Sequence, residues 1–221
     1  MPQATTAVFD FDYTLTRWDT AARFFGWLLR RAPWKMVLGA PFALLLAPLA
    51  PFSRTRRIPI RYLVWLATFG LSHEQLRSLA ALHVSQVVER GDPFVRHDAR
   101  RQIELHQSQG HVVVVATGAL EYLAGEILDQ TGIVNVTVVG SSLRRFLGGM
   151  VVKQHCYGAR KIPMLRSRGF DPPWAFVYSD HEADLPLLKE GTTQVVVNPK
   201  PATAHYLLSV LGPSASVVTW R

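Results

Sequence analysis

The stretch AVFDFDYTLT (7–16) sets two aspartates one residue apart at the end of a short apolar run, with Thr14 and Thr16 close behind. Carboxylates that near to one another repel, and the arrangement is costly unless a cation or a shared proton belongs to the design. The apolar run reads as a buried strand, so Asp10 and Asp12 fall at a strand end. Outward from it the same pattern recurs: TAVFD (6–10), HVVVVAT (111–117), PWAFVYS (173–179) and TQVVVN (193–198) are short apolar runs that end in polar residues. Such near-continuous strands suit a parallel sheet covered on both faces. Between them EYLAGEILDQTG (121–132), GARKIPMLRSRG (158–169), ADLPLLKEG (183–191) and PATAHYLLSVLG (201–212) read as helices closing at glycine. The alternation predicts an α/β fold with a doubly wound, Rossmann-like parallel sheet, whose ligands bind beyond the carboxyl ends of the strands. SSLRRFLGGMVVKQ (141–154) reads as a hairpin around Gly148 and Gly149.

Charge divides the chain. The net charge is +8, and residues 17–105 hold 14 basic against 6 acidic residues, so the whole surplus lies there. The expectation is a neutral catalytic core, 1–16 and 106–221, carrying a basic helical cap, 17–105. Within the cap, DTAARFFGWLLRR (19–31) and SHEQLRSLAALHVSQVVERG (72–91) have helical spacing, the second with Ser72 as N-cap. Between them MVLGAPFALLLAPLAPF (36–52) is 17 residues without a charge, flanked by Arg30, Arg31 and Lys35 and by Arg54, Arg56 and Arg57. That is short for a span but fits a segment lying in a lipid interface with its cations on anionic headgroups. The alternative is a helical pair packed inside the cap. A single cysteine, Cys156, excludes an internal disulfide framework and fits a reducing compartment, and MPQATTAVFDFD (1–12) lacks the basic-then-apolar pattern of a secretory leader, so export by that route is not expected. An anionic partner is expected; the aliphatic rather than aromatic basic segment does not favour nucleic acid, and no protein partner is evident.

Phosphoryl transfer to a carboxylate needs a nucleophile, an acid/base neighbour, a divalent cation and donors for the phosphate oxygens. The strand ends offer Asp10 and Asp12, then Thr117 and Gly118, then Lys161 near a helix start, then Asp180 and Asp184 in SDHEAD (179–184). Alone, the aspartate pair could be a strand-end turn or the metal site of a glycosyltransferase. No GxSxG, Walker loop or GxGxxG occurs, and His181-Glu182 lacks the second histidine of a zinc helix.

Taken together, these four groups resemble the haloacid dehalogenase superfamily, in its phosphoserine-phosphatase-like branch. DxDxT stands as Asp10-Phe-Asp12-Tyr-Thr14, with Tyr13 where many members have glycine and His181 where this branch often has serine. The resemblance implies that Asp10 attacks phosphorus and that Asp12 protonates the leaving oxygen and then activates water. It implies Mg²⁺ on Asp10, the Asp12 carbonyl and Asp180, phosphate oxygens on Thr117, Gly118 and Lys161, and Asp184 orienting water or Lys161. A narrower resemblance, in FFGWLLRRAPWKMVLGAPFALLLAPLAPF (24–52), VWLATFGLS (64–72), FLGGMVVKQHCYGARKIPML (146–165) and YSDHEADLPLL (178–188), runs to bacterial phosphatases of phosphatidylglycerophosphate. It implies a phospholipid substrate and a peripheral enzyme on the cytoplasmic side of the inner membrane. The rival expectations are a soluble phosphatase of a small phosphorylated metabolite and a silent lipid-binding module.

Overall fold

In the computed structural model, which describes residues 5–49, 51–52, 57–91 and 93–221 (the Arg57 side chain excepted), β1 (Thr6–Phe9) is followed by five helices before the next strand. These are α1 (Thr20–Arg31), α2 (Pro33–Leu46), α3 (Arg57–Thr68), α4 (His73–Glu89) and α5 (His97–Ser108). Then come β2 (Val112–Leu120), α6 (Glu121–Gln130), β3 (Val136–Phe146), β4 (Gly149–Gln154) and α7 (Lys161–Arg166). β5 (Trp174–Ser179), α8 (Leu185–Lys189), β6 (Gly191–Val197), α9 (Pro201–Leu211) and β7 (Ala215–Val218) close the order. The strands form one sheet, β4-β3-β2-β1-β5-β6-β7, parallel except for β4 at its edge. β1 therefore sits at the centre, with the chain moving to one side through β2 and β3 and returning to the other at β5. The carboxyl ends beside β1 are the switch point where such sheets bind ligands. The α/β doubly wound architecture expected from the strand pattern is the one observed.

Strand periodicity explains the two cores. Val8, Val114, Val177 and Val196 face one side with Cys156, Trp174 and Leu187. Phe9, Val113, Val115 and Val195 face the other, as the alternation of side chains in a strand requires. The second cluster does not stop at the sheet: it runs on through Phe24, Leu28, Val64, Leu76 and Val84 of α1, α3 and α4. Helix starts follow local chemistry. Asp19 caps α1 by accepting from the Ala22 N–H, 2.8 Å. Ser72 and Gln75 form a reciprocal capping box on α4. The expected boundary at residue 105 falls inside α5. That helix is pinned to the sheet, since Gln102 Nε2 donates to the Tyr178 hydroxyl (3.0 Å) and the buried His106 ring lies 2.9 Å from the same oxygen.

Helix α2 inverts the usual rule. Its buried residues are Lys35 and Gly39, while Trp34, Val37, Leu38, Phe42, Leu44 and Leu45 stand in the open, the last two 73% and 74% exposed. A helical pair packed inside a cap does not describe it. Lys35, expected as a flanking cation, is instead only 6% exposed and donates to the Ala67 carbonyl, 3.0 Å, and burial pulls its pKa down. Of the other flanking cations Arg30 and Arg31 are exposed, and the side chains of Arg54, Arg56 and Arg57 lie outside the described residues. Among the described residues no single helix is long and apolar enough to cross a membrane; Thr20–Arg31 and Pro33–Leu49 pass that test only as a pair bent by 112°.

Candidate active site

The loop after β1 is built by its own backbone. The Leu15 and Thr16 N–H groups donate to the Phe11 carbonyl (2.9 and 3.0 Å), and the Asp10 N–H donates to Tyr178 of β5 (2.8 Å). This closes Asp10–Thr14 into a turn at the sheet's central carboxyl end. Tyr13 at its crest has φ 62°, the left-handed region that glycine enters freely, which accounts for glycine being accepted at this position. The Asp10 carboxylate accepts a 2.6 Å ion pair from Lys161, which in turn reaches Asp184 at 2.5 Å. The Thr14 hydroxyl lies 3.4 Å from Asp10 Oδ2 and 3.2 Å from Asp180 Oδ1, and its one proton can serve only one of them at a time. Asp10, Asp180, Asp184 and Lys161, distant in the chain, thus meet as one network.

Lys161 gets there through a local constraint. Three residues earlier Gly158 has φ 56°, and a Cβ on it would come 2.9 Å from the Ala183 carbonyl. Only glycine lets the backbone lie that close to the turn carrying Asp184. On that turn the His181 imidazole accepts from the Ala183 N–H (2.9 Å), taking the capping part a serine would play. Ser179 donates to Asp184 Oδ2, 2.8 Å, and fixes it from behind. At the end of β2 the Thr117 hydroxyl accepts from the Ala119 N–H (2.9 Å), which leaves its own proton to donate. The register there shifts between Thr117 and Leu120, turning the backbone at Gly118 out of the ladder. Ser141 holds this bend, donating to the Gly118 carbonyl at 2.7 Å.

Asp12 points elsewhere, accepting from both the N–H and the hydroxyl of Thr20, 2.8 and 2.7 Å, at the start of α1. Burial pushes its carboxyl up to about 7 against the pull of these two bonds. Burial likewise pushes Asp10 up to about 7 despite the Lys161 ammonium, with Asp184 and Asp180 adding to the rise, and it raises Asp180 too. Burial alone would lower Lys161, but Asp10 and Asp184 override it and hold the ammonium well above its usual range. One ammonium therefore faces several buried acids, and the balance calls for a further cation or for retained protons. Among the described residues no three His, Cys, Asp or Glu side chains form a cage for one. Two carboxylates, a carbonyl and waters are, however, the hard-oxygen set a magnesium ion accepts. Cys156, whose thiol burial pushes up to about 12, is inert packing.

Three contributors were not singled out from the sequence as site residues: Thr14, Ser179 and Thr20. The first two stand inside the motifs and were legible as their polar members; Thr20 carries no signal beyond its place after an N-cap. A broad depression of about 770 Å³ between α5 and β7, lined by Asp98, Arg101, Gln102 and Trp220, holds none of these groups.

Residues 7–189 match the model of the haloacid dehalogenase-like hydrolases. The chain belongs to that family, and it is a hydrolase. A curated relative from Streptomyces azureus, the inhibition of morphological differentiation protein, is 28% identical over 147 residues, 63% of this chain and 51% of its own length. The chain thus spans about half the length of that relative. Among solved structures, a protein of unknown function from Bordetella pertussis Tohama I superposes with a TM-score of 0.69 at 17% identity, over 98% of this chain and 99% of its own. A substrate-bound phosphoserine phosphatase does so with a TM-score of 0.57 at 16% identity, over 98% and 93%. At such identities the likeness speaks to the fold.

Proposed function

We propose that this hydrolase is a phosphatase that works at a membrane surface on a lipid phosphate monoester, most specifically phosphatidylglycerophosphate, which it converts to phosphatidylglycerol. The observation that carries the lipid half is α2, which buries a lysine and turns its leucines outward. An apolar helix so arranged suits the acyl boundary of a bilayer, and the exposed Arg30, Arg31 and Arg61 suit its anionic headgroups. The stretches similar to phosphatidylglycerophosphatase C support the same substrate, and with it a place on the cytoplasmic face of the inner membrane.

In the chemistry we infer, an Asp10 oxygen attacks phosphorus as the bond to the glycerol oxygen breaks, leaving an aspartyl-phosphate. Asp12 gives its proton to the departing alkoxide; a carboxyl raised to about 7 is still partly protonated near neutral pH, as a general acid must be. The ionised Asp12 then takes a proton from water, which attacks the same phosphorus and returns Asp10 with release of phosphate. Lys161, the Thr117 hydroxyl and the Gly118 N–H would bind the non-bridging oxygens, with Asp184 holding Lys161 in place. Magnesium on the Asp10 and Asp180 carboxylates and the Asp12 carbonyl would supply charge neutralisation.

The test is phosphate release from mixed micelles, read as kcat/KM. Phosphatidylglycerophosphate should exceed phosphoserine clearly. Preference for phosphoserine or another soluble monoester would overturn the lipid reading and favour the second one, a small-metabolite phosphatase, to which the phosphoserine phosphatase among the structural neighbours lends support. The intact Asp10–Lys161–Asp184 network speaks against a silent lipid-binding module.

A further inference from the structure

The hairpin between β3 and β4 breaks two local rules at once. Phe146 pairs with Gly149, so the turn consists of Leu147 and Gly148, with φ 43° and 81°. Both are left-handed, the mirror-image hairpin turn whose first position ordinarily takes asparagine, aspartate or glycine. Here it takes a leucine, 76% exposed, the most open large apolar side chain described. A residue disfavoured by the backbone and by water together points to a gain made outside the chain. Its neighbours fit one kind of partner. Phe146 is also exposed, Arg144 and Arg145 are exposed beside it, and β3 and β4 carry three basic residues and no acidic one.

The tip is fastened to the helix beneath α2. Trp65 Nε1 of α3 donates to the Phe146 carbonyl (3.0 Å), the Gly70 N–H to the Gly148 carbonyl (2.8 Å), and the Met150 N–H to the Thr68 hydroxyl (2.9 Å). The Phe69 and Trp65 rings press on Gly148 and Gly149 so closely that a Cβ at either would fall 2.7 and 2.6 Å from them. The same two rings, with Trp34, Leu38, Phe42 and Tyr62, line an apolar groove of about 330 Å³ between α2 and α3. Helix, groove and tip are therefore one continuous apolar surface.

We propose that Phe146 and Leu147 form a second membrane-docking element, inserted in the acyl boundary of an anionic leaflet with Arg144 and Arg145 at the headgroups. This rests on the membrane-surface reading of α2 and deepens it. The hairpin prolongs β3, the neighbour of β2, which carries Thr117, so a docked tip orients the catalytic sheet itself against the bilayer.

The test is co-sedimentation with vesicles of phosphatidylcholine containing about one-third phosphatidylglycerol. Leu147→Asn suits the left-handed backbone better than leucine, so its melting temperature should equal or exceed that of the wild type, while vesicle partitioning drops about tenfold. Leu147→Gly, free of strain, should do the same. Turnover of a soluble aryl phosphate should stay unchanged in both. Unaltered partitioning of both variants, with loss of binding in Leu44→Glu/Leu45→Glu, would overturn the hairpin element and leave the α2 reading standing. Failure of the wild type to bind at all would overturn both.

Discussion

Replacing Lys161 by methionine keeps the aliphatic stem and removes the ammonium that Asp10 and Asp184 share at 2.6 and 2.5 Å. The side chain is 2% exposed, so water cannot take its place. Breaking a buried ion pair from one side typically costs about 3–5 kcal/mol. For a chain of this size that is roughly 6–20 °C in melting temperature. The loss should depend on pH in a definite sense. Burial already pushes Asp10 up to about 7 against the pull of the ammonium, and without that pull it holds its proton more tightly still in the folded state. The variant therefore takes up its proton at a pH where the wild type has not, and the gap to the wild type narrows as pH falls toward about 7, below which Asp10 is protonated in both. Adding Asp184→Asn removes one stranded charge, so the double variant should melt above the sum of the single losses. The assay is thermal unfolding of the three variants in metal-free buffer, with phosphatase turnover alongside, which Lys161→Met should abolish. A melting temperature within about 1 °C of wild type at pH 8 would refute the reasoning, because it would mean that the pair carries no uncompensated charge.

Asp10→Asn should abolish turnover with an unchanged circular dichroism spectrum, and near-normal activity would rule out the covalent step. Asp12→Asn should slow turnover roughly 10²-fold or more. Because Asp12 works protonated and its carboxyl sits at about 7, wild-type kcat/KM should decline as pH rises above that value, and the variant should lack this limb. Thorough chelation should silence the wild type and magnesium restore it; activity that survives chelation would sink the metal assignment. Leu44→Glu with Leu45→Glu should weaken vesicle binding while sparing an aryl phosphate, since both side chains are open and neither touches the acidic network.

What could be read in the chain beforehand is what depends on short range. Asp10, Thr117 and Asp180 each follow an apolar run, and strands deliver such residues to one edge. The Ser72 N-cap and the α6 helix are likewise local patterns. What escaped depends on partners far away. β7 is ASVV, four residues that become a strand only by pairing with β6. The hairpin suggested by the sequence begins at 141 and 136–140 carries no reading of its own, yet Val136–Ser141 is a parallel strand beside β2. Lys35 looked like a flanking cation because lysine is ordinarily wet; only the Ala67 carbonyl of α3, 32 residues on, draws it inward. The Thr20 bonds to Asp12 were hidden for the same reason, since helix α1 had to be placed before its first residue could be seen to face the loop.

The shared cluster of Phe9 and Val115 with Phe24, Leu76 and Val84 bears on how the molecule moves. Swinging the helices away from the sheet would wet those side chains at about 1.5–3 kcal/mol each. Four or five of them would consume the entire stability of an ordinary domain. Wholesale separation of sheet and helices is therefore costly, and movements that leave this cluster packed are favoured over ones that part it. Under the proposed lipid reading that rigidity would be useful: an enzyme seated at one fixed height would present its nucleophile at a constant depth, for the headgroup to rise and meet it.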